Sequence, residues 1–178
     1  MTGQPAASSR KRCVLRCVST SEDRFFAAVA DRALVRPSLR CIVVRNGHVL
    51  VQRPADSSPG TSYAFIGGEY ETGDTFDSRV RAEFEEETNA KVLEWHYLFV
   101  VENLFRHGGS KIHALEHYVE VTIDRTDVAS REGHLVQEWL PMDALATADL
   151  RPYAVRDLLA SGRQHEVRHL VVNGWSED

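Results

Sequence analysis

The strongest constraint on this chain is a helix-forming stretch that carries acids where a free-standing helix would not place them. From Asp74 to Thr88 no proline or glycine interrupts, and Phe76, Val80 and Phe84 recur every four residues. That spacing lines one side of an α-helix with apolar groups. Asp74 suits the N-cap and Asn89 can close the far end in the left-handed region, so a helix over 74–88 is predicted. On it Glu83 and Glu86 stand i,i+3 and Glu83 and Glu87 i,i+4, which projects three carboxylates from one face. Each like-charge pair costs a few tenths of a kcal/mol, and anions in the C-terminal half oppose the helix dipole by ~0.3–1 kcal/mol each. Stability alone does not select this placement. A hard divalent cation, Mg²⁺ or Mn²⁺, removes both penalties, and carboxylate oxygens are the ligands it prefers. The competing reading is a solvated acidic face, helped by i,i+4 pairing of Arg79 with Glu83 and Arg81 with Glu85.

Ahead of this helix, a short apolar strand from Tyr63 to Ile66 runs into Gly67-Gly68, and Gly73 follows in the loop. Such a path can bring carbonyls and amides close to a ligand at the helix. Upstream, two β-rich runs between Leu39 and Arg53 flank Asn46-Gly47, a type I′ hairpin signal. Downstream, the runs Val92 to Phe105 and Lys111 to Ile123 meet at His107-Gly108-Gly109. A short strand follows near Leu135 to Trp139, Pro141 opens a turn or short helix, and Pro152 and Gly162 frame a helix from about Pro152 to Ser161. A last strand is expected over 166–172. At the other end, Thr20 and Asp23 form a capping-box-like start, and Phe25, Ala28, Val29 and Ala33 repeat at helical spacing to about Leu34. The expected class is α/β in the sense that includes α+β: mixed or antiparallel strands with helices on their faces.

With 178 residues against ~150 for an ordinary domain, one domain is expected over 37–178. Residues 21–36 read as an N-terminal helix and linker. Residues 1–20, with Arg10, Lys11, Arg12 and Arg16 and no acid, read as a disordered basic tail, with an organelle transit peptide as the alternative. The net charge of −5 argues against a broadly basic nucleic-acid-binding surface. The longest apolar run, Phe25 to Ala30, is far short of the ~20 residues of a membrane span. Three cysteines, Cys13, Cys17 and Cys41, are an odd number without a CxxC pair, which points to a reducing, cytoplasmic setting.

Residues 67–90, GGEYETGDTFDSRVRAEFEEETNA, resemble the Nudix box, G-x5-E-x7-R-E-U-x-E-E-x-G-U with U apolar. Gly68, Glu83, Phe84, Glu86, Glu87 and Ala90 take their places at the right spacing. Asp74 stands for the first Glu, Ala82 for the Arg and Asn89 for the last Gly. The similarity extends from about Pro37 to Gly162, including Glu102 and the EWLP of 138–141. It implies an α/β/α sandwich around a mixed sheet and Mg²⁺-dependent hydrolysis of a nucleoside diphosphate linked to another moiety. It also implies Glu83, Glu86 and Glu87 as metal ligands, with the Gly67 carbonyl completing the set. Glu86 or Glu83, or a glutamate of a later loop, takes the proton of the attacking water. If the family's Arg braces the loop through the family's first Glu, losing one relaxes the need for the other.

Candidate substrate contacts are Arg53 and Arg45 on the first hairpin, which can hold phosphate, with the Gly67-Gly68 backbone. Tyr63, Trp95 and Trp139 can stack on a base, although core packing explains aromatics in such places equally. Glu102 reads as a solvated or structural carboxylate, or as a further candidate. The partner expected is a nucleotide-derived small molecule, with a homodimer allowed. One rival motif, His113, Glu116 and His117, spells the H-x-x-E-H of inverzincins. It needs a helix and lies in a β-rich run. A rival of another class keeps the fold and pocket without turnover, as a nucleotide-binding or regulatory domain. Ala82 favours it and the intact glutamates oppose it.

Overall fold

A computed structural model describes residues 20–175. The chain runs α1 (Ser21–Asp31), β1 (Arg36–Ile42), β2 (Val44–Arg45), β3 (His48–Pro54), α2 (Phe76–Glu87), β4 (Val92–His107), β5 (Ser110–Ile123) and β6 (Leu135–Pro141). A 3₁₀ helix (Met142–Thr147), α3 (Tyr153–Ala160) and β7 (His169–Asn173) follow. Four strands form a mixed sheet in the order β1-β5-β4-β7, with β1 parallel to β5, β4 antiparallel to it and β7 parallel to β4. The antiparallel β2-β3-β6 makes a second sheet. The chain changes sheets at Val43, directly before the hairpin whose Asn46 (φ 50°) and Gly47 (φ 72°) make the expected I′ turn.

Strand alternation sets the layers. Leu39, Cys41, Leu50, Ile66, Val119 and Val121 pack with Val80 and Phe84 of α2. Ile42, Val51, Phe99, Val101 and Tyr118 face the opposite way, onto Val155 and Leu159 of α3. Helices thus cover both faces, the α/β/α arrangement expected. Phe84 is sealed, so truncating it to Ala would cost ~3–5 kcal/mol and release α2 from the sheet.

Several boundaries differ from the sequence reading for identifiable reasons. The helix α2 is capped by Thr75, whose hydroxyl accepts from Ser78 N while Ser78 Oγ accepts from Thr75 N. Asp74 instead accepts from Glu71 N and turns the loop. Its far cap, Thr88, is extended, and Asn89 does not take a positive φ. Asn89 bridges to the 127–129 loop, donating to Asp127 O and accepting from Ala129 N. The segment 63–66 pairs through single bridges, Tyr63 with Leu150, Gln52 with Ala64 and Cys41 with Ile66.

Helix α1 begins with the expected Thr20–Asp23 capping box but ends at Asp31 and is rotated from the expected face. Val29 is buried, while Phe25, Ala28 and Ala33 are exposed. The cause is tertiary: Phe26 meets Phe105 edge-on at 5.2 Å. Arg81 pairs with Asp77 one turn back at 3.1 Å, rather than with Glu85. Cys41 is a buried free thiol. The expected basic tail, apart from Thr20, and Cys13 and Cys17 lie outside the described residues. Among the described residues no helix is long and apolar enough to cross a membrane.

Candidate active site

The three carboxylates of α2 do share one face, but their surroundings differ. Glu83 is buried, Glu87 half-buried and Glu86 exposed. Burial pushes the Glu83 carboxyl up to about 7 against the opposing pull of Arg79 and then Arg40. Burial, and next the neighbouring Glu83, push Glu87 up to about 8. One oxygen of Glu87, Oε2, is buried without a hydrogen-bond partner, and the other lies 3.5 Å from Gln52 Nε2. Uncompensated buried charge of this kind is costly, so the cluster in this form favours either a proton or a cation.

Arg79 organises the cluster and is, of the two arginines Arg79 and Arg81 that the sequence offers for holding the loop, the one that does so. Its guanidinium is buried. Nη2 lies 3.0 Å from Glu86, and Nη1 lies 3.5 Å from Asp74 and 4.0 Å from Glu71. Nε stands 2.9 Å from Glu83 Oε1, a close ion pair whose angle is not that of a hydrogen bond. Arg79 thus ties the 71–74 loop to the acidic face. It lies three residues before Ala82, hence on nearly the same side of the helix, and supplies from there the brace that the missing Arg leaves open.

The opposite wall comes from the double glycine and β1. Gly67 has φ 136°, and a Cβ there would strike the Leu39 carbonyl; a Cβ on Gly68 would strike the Glu83 carboxylate. Only glycines let this backbone lie against both neighbours. Arg40 donates to Gly67 O at 2.6 Å and stands 3.6 Å from the buried Glu116. Arg36, also buried, donates to Glu69 at 3.2 Å, and burial and then the nearby Arg40 push it down to about 10. Arg36, Arg40, Gly67, Gly68, Arg79, Glu83, Glu86 and Glu87 all line one cavity of about 660 Å³. The size suits a small-molecule site, and opposed positive and negative walls suit a phosphate with its counter-cation.

The remaining candidates separate. Arg53 lines the same cavity, with its guanidinium engaged by Glu138 at 2.6 Å and by the Pro54 and Ser57 carbonyls. Arg45 is exposed on the hairpin and does not line the cavity. Tyr63 is a core residue whose hydroxyl donates to Glu138 at 2.6 Å. The indoles of Trp95 and Trp139 donate to Asp77 and to Thr126 O. Glu102 faces His169 at 2.8 Å, outside the cavity. Arg36 and Arg40 escaped the sequence reading, which had Glu138 only as part of the EWLP of 138–141. The even spacing of Arg36, Ser38 and Arg40 on one strand was the available signal, since it puts all three on one face.

The H-x-x-E-H set is dispersed. On β5 it spans a strand, where residues four apart are ~13 Å apart and the third lies on the other face. His113 packs near Trp175, His117 lies 3.1 Å from the Tyr97 hydroxyl, and Glu116 is taken by Arg40, Asn103 and Tyr118. Among the described residues no three His, Cys, Asp or Glu side chains stand arranged around one metal-sized point. At α2 the reason is Arg79, which draws Glu83 and Glu86 to itself. The donors there are all hard oxygens, and the orphaned Glu87 Oε2 awaits a partner. That chemistry fits Mg²⁺ or Mn²⁺.

A family model of the NUDIX domain matches residues 35–160. No curated protein matches the sequence. Among solved structures, the chain is similar to a mutator MutT protein from Bacillus halodurans, with 20% identity and TM-score 0.58, covering 77% of this chain and 87% of that one. It is also similar to the E. coli ORF135 protein, with 23% identity and TM-score 0.52, covering 70% and 86%. A MutT NUDIX hydrolase from Burkholderia pseudomallei gives 19% identity and TM-score 0.50, covering 62% and 85%. At these identities the likeness is one of fold. Helix α1 precedes the matched segment.

Proposed function

The chain belongs to the Nudix hydrolase family, whose members act on nucleoside diphosphate derivatives, and from that premise we propose that it cleaves the pyrophosphate linkage of a nucleoside diphosphate joined to another group. Nucleotide sugars, dinucleotides and nucleoside triphosphates are the candidates. The observation that carries the reading is the meeting, in one cavity, of the Glu83, Glu86 and Glu87 face with the Gly67-Gly68 backbone and the buried Arg36 and Arg40.

Glu83, Glu86 and Glu87 would hold Mg²⁺ or Mn²⁺, which when bound neutralises phosphoryl oxygens and acidifies water. Arg36 and Arg40 supply fixed positive charge opposite the acids, where charge gathers on the phosphates in the transition state. Gly67 and Gly68 let the diphosphate approach the backbone, and Arg53 borders the same space. A water oxygen attacks phosphorus, the bridging P–O bond breaks, and the leaving phosphate departs with the bond electrons. We assign Glu86 to take the water's proton, because it is exposed at the cavity, with Arg79 Nη2 on one of its oxygens, while Glu83 is buried. Glu83 then serves as a positioning and ligand group. A free buried Cys41 suits the cytoplasm.

One observation favours a second reading, binding without turnover: Arg79 already occupies the two carboxylates that a cation needs. The same experiment decides between them. The full chain is incubated with nucleotide sugars, dinucleoside polyphosphates and nucleoside triphosphates, with Mg²⁺, with Mn²⁺ and with EDTA. Metal-dependent release of a nucleotide, lost in Glu87→Gln, is expected. Binding of these compounds with no product under any metal would establish the second reading.

A further inference from the structure

Glu116, from the dispersed H-x-x-E-H set, is a buried carboxylate that the hydrolytic scheme leaves without a task. It stands on β5 opposite Ser38 of β1, and its two oxygens are divided between different partners. Oε2 accepts from Asn103 Nδ2 and from the Tyr118 hydroxyl, each at 3.2 Å. Oε1 faces Arg40 Nε at 3.6 Å. Two neutral donors therefore fix the carboxylate, and Arg40 is the cation that balances it. A buried charge left without such a partner is strongly destabilising.

Arg40 in turn lies between two acidic neighbourhoods. It lines the main cavity with Glu83, Glu86 and Glu87, and it also borders a second cavity of about 270 Å³ that Glu116 lines. Its Nη1 donates to Gly67 O at 2.6 Å. Strand β1 takes the flanking carbonyls with its own backbone, Leu39 N to Gly68 O and Cys41 N to Ile66 O at 2.8 Å each, so the carbonyl between them is left to a side chain. Burial opposes the Arg40 charge, and Glu116, ahead of Tyr118, Glu83 and Glu87, holds the guanidinium's pKa above its ordinary value. The pull is mutual: burial raises both Glu83 and Glu87, and Arg40 is among the charges that draw each of them back. A long cationic side chain bordering open space goes to the anion that attracts it more. Released from Glu116, Arg40 would turn to Glu87, whose Oε2 is buried without a hydrogen-bond partner. A guanidinium fork pairs readily with such a carboxylate, and it would then hold the oxygens assigned to the cation.

We propose that Glu116 is a positioning residue of this site: it holds Arg40 on the Gly67 carbonyl and so keeps the guanidinium off the glutamates that take the metal ion. The proposal deepens the hydrolase reading and rests on it for the identity of the metal ligands. With Arg79 committed to Glu83 and Glu86 from the helix itself, Arg40 is the cation whose restraint leaves Glu87 open.

The test measures Mn²⁺ binding to the full chain without nucleotide, through loss of the free-ion electron paramagnetic resonance signal, in the wild type, Glu116→Gln, Arg40→Met and the double variant. Glu116→Gln keeps the size and the neutral partners and removes the charge. It should weaken Mn²⁺ binding by ~10–100-fold, the range for losing a group that orients a metal's surroundings. Arg40→Met should bind Mn²⁺ at least as tightly as the wild type, and adding it to Glu116→Gln should restore the wild-type affinity. A purely structural role predicts the reverse order, with the double variant weakest. That order overturns the proposal, as does unchanged binding in Glu116→Gln or a wild type that binds no Mn²⁺. If circular dichroism shows Glu116→Gln unfolded, the other two variants decide, since removing both members of a buried pair is often tolerated. Retained binding in both supports the proposal and weakened binding in either overturns it. Nucleoside triphosphate hydrolysis is a separate arm. The loss in Glu116→Gln should lie in the metal concentration for half-maximal rate and be recovered at saturating Mn²⁺. A wild type that binds Mn²⁺ and hydrolyses no nucleotide ends the hydrolase reading and leaves this proposal to the binding series.

Discussion

Two stretches of this chain offer metal-type ligands at one and the same spacing, i, i+3 and i+4: Glu83, Glu86 and Glu87 on α2, and His113, Glu116 and His117 on β5. On the helix, with 3.6 residues per turn, this spacing gathers three side chains on one face. On the strand it sends Glu116 to the opposite face and spreads the two histidines by ~13 Å. The structure follows both rules. The helical set lines the main cavity, and the strand set divides into a buried ion pair with Arg40 and two separate ring contacts. The chemical meaning of a short motif is therefore set by the periodicity of the element that carries it.

The comparison breaks most visibly at Glu87. Replacing it with Gln, which keeps size and removes charge, should lower turnover by ~10²-fold or more, in line with the loss of a metal ligand. His113→Ala and His117→Ala should leave turnover within about twofold, and metal analysis of the purified protein should show no stoichiometric zinc. Full activity of Glu87→Gln, or zinc lost in a histidine variant, would reverse the assignment of the two sets.

A second cut removes the arginine from the helical set. Arg79→Met leaves the buried Glu83 without its ion pair, which should cost ~2–4 kcal/mol, or a drop in Tm of roughly 5–15 °C for a chain of this length. Arg79→Lys should recover only part, since one ammonium cannot reach four carboxylates as the fork does. Thermal denaturation in EDTA is the measurement, and an unchanged Tm would mean that Glu83 is held by something other than Arg79.

The helical set should also show in the pH dependence of the metal-free protein. Glu83 and Glu87 bind protons more tightly folded than unfolded, with folded values of about 7 and about 8. Their contribution is complete below the unfolded value, ~4.5, and is lost as pH rises towards 8. After discounting for solvent around Glu87, the loss should be ~1–3 kcal/mol, a few degrees of Tm. Glu87→Gln should flatten the decline and Mg²⁺ should oppose it at pH 8. Glu69, Glu138 and Asp149, held below the ordinary range, act in the other direction, and their stabilisation is lost only as the solution becomes acid. A Tm in EDTA that rises from pH 5 to pH 8 would contradict the burial of the cluster.

Local signals accounted for much of this. The turn at Asn46-Gly47, the capping box at Thr20, the strand pair around Gly108-Gly109 and the acidic face of α2 were legible because each depends on residues close in sequence. Asp74 misled because Thr75 and Ser78 cap one another better, a choice between adjacent good caps that propensity does not resolve. Two register shifts in β4, at Val92/Glu94 and Tyr97/Phe99, disturb the alternation that would have marked its faces. The packing face of α1 was hidden, since Phe26, outside the expected face, meets Phe105, 79 residues later. Arg79 was legible as a partner of Glu83 and, beside Arg81, as one of two arginines that could hold the loop; the choice between them depends on tertiary structure, which brings Asp74 and Glu71 to Arg79.

The smallest effect tests that brace directly. If the departures from the family pattern at 74 and 82 were a matched loss, Asp74→Glu and Ala82→Arg together would restore a pair and show coupling. The structure already places Arg79 at 3.5 Å from Asp74, with Asp74 mostly covered. An arginine added at 82 would meet carboxylates that are already engaged. In a double-mutant cycle on Tm, Asp74→Ala with Arg79→Met should therefore couple by ~0.5–1 kcal/mol, as expected of a partly screened contact. The cycle of Asp74→Glu with Ala82→Arg should be additive within ~0.5 kcal/mol. The opposite outcome, coupling at 82 and additivity at 79, would show that the loop is braced from the family position after all. Arg79 would then serve only to neutralise Glu83 and Glu86. Both cycles share the loop residue and place its partner about one helical turn apart, so the pair of couplings reports which turn of the helix braces the loop.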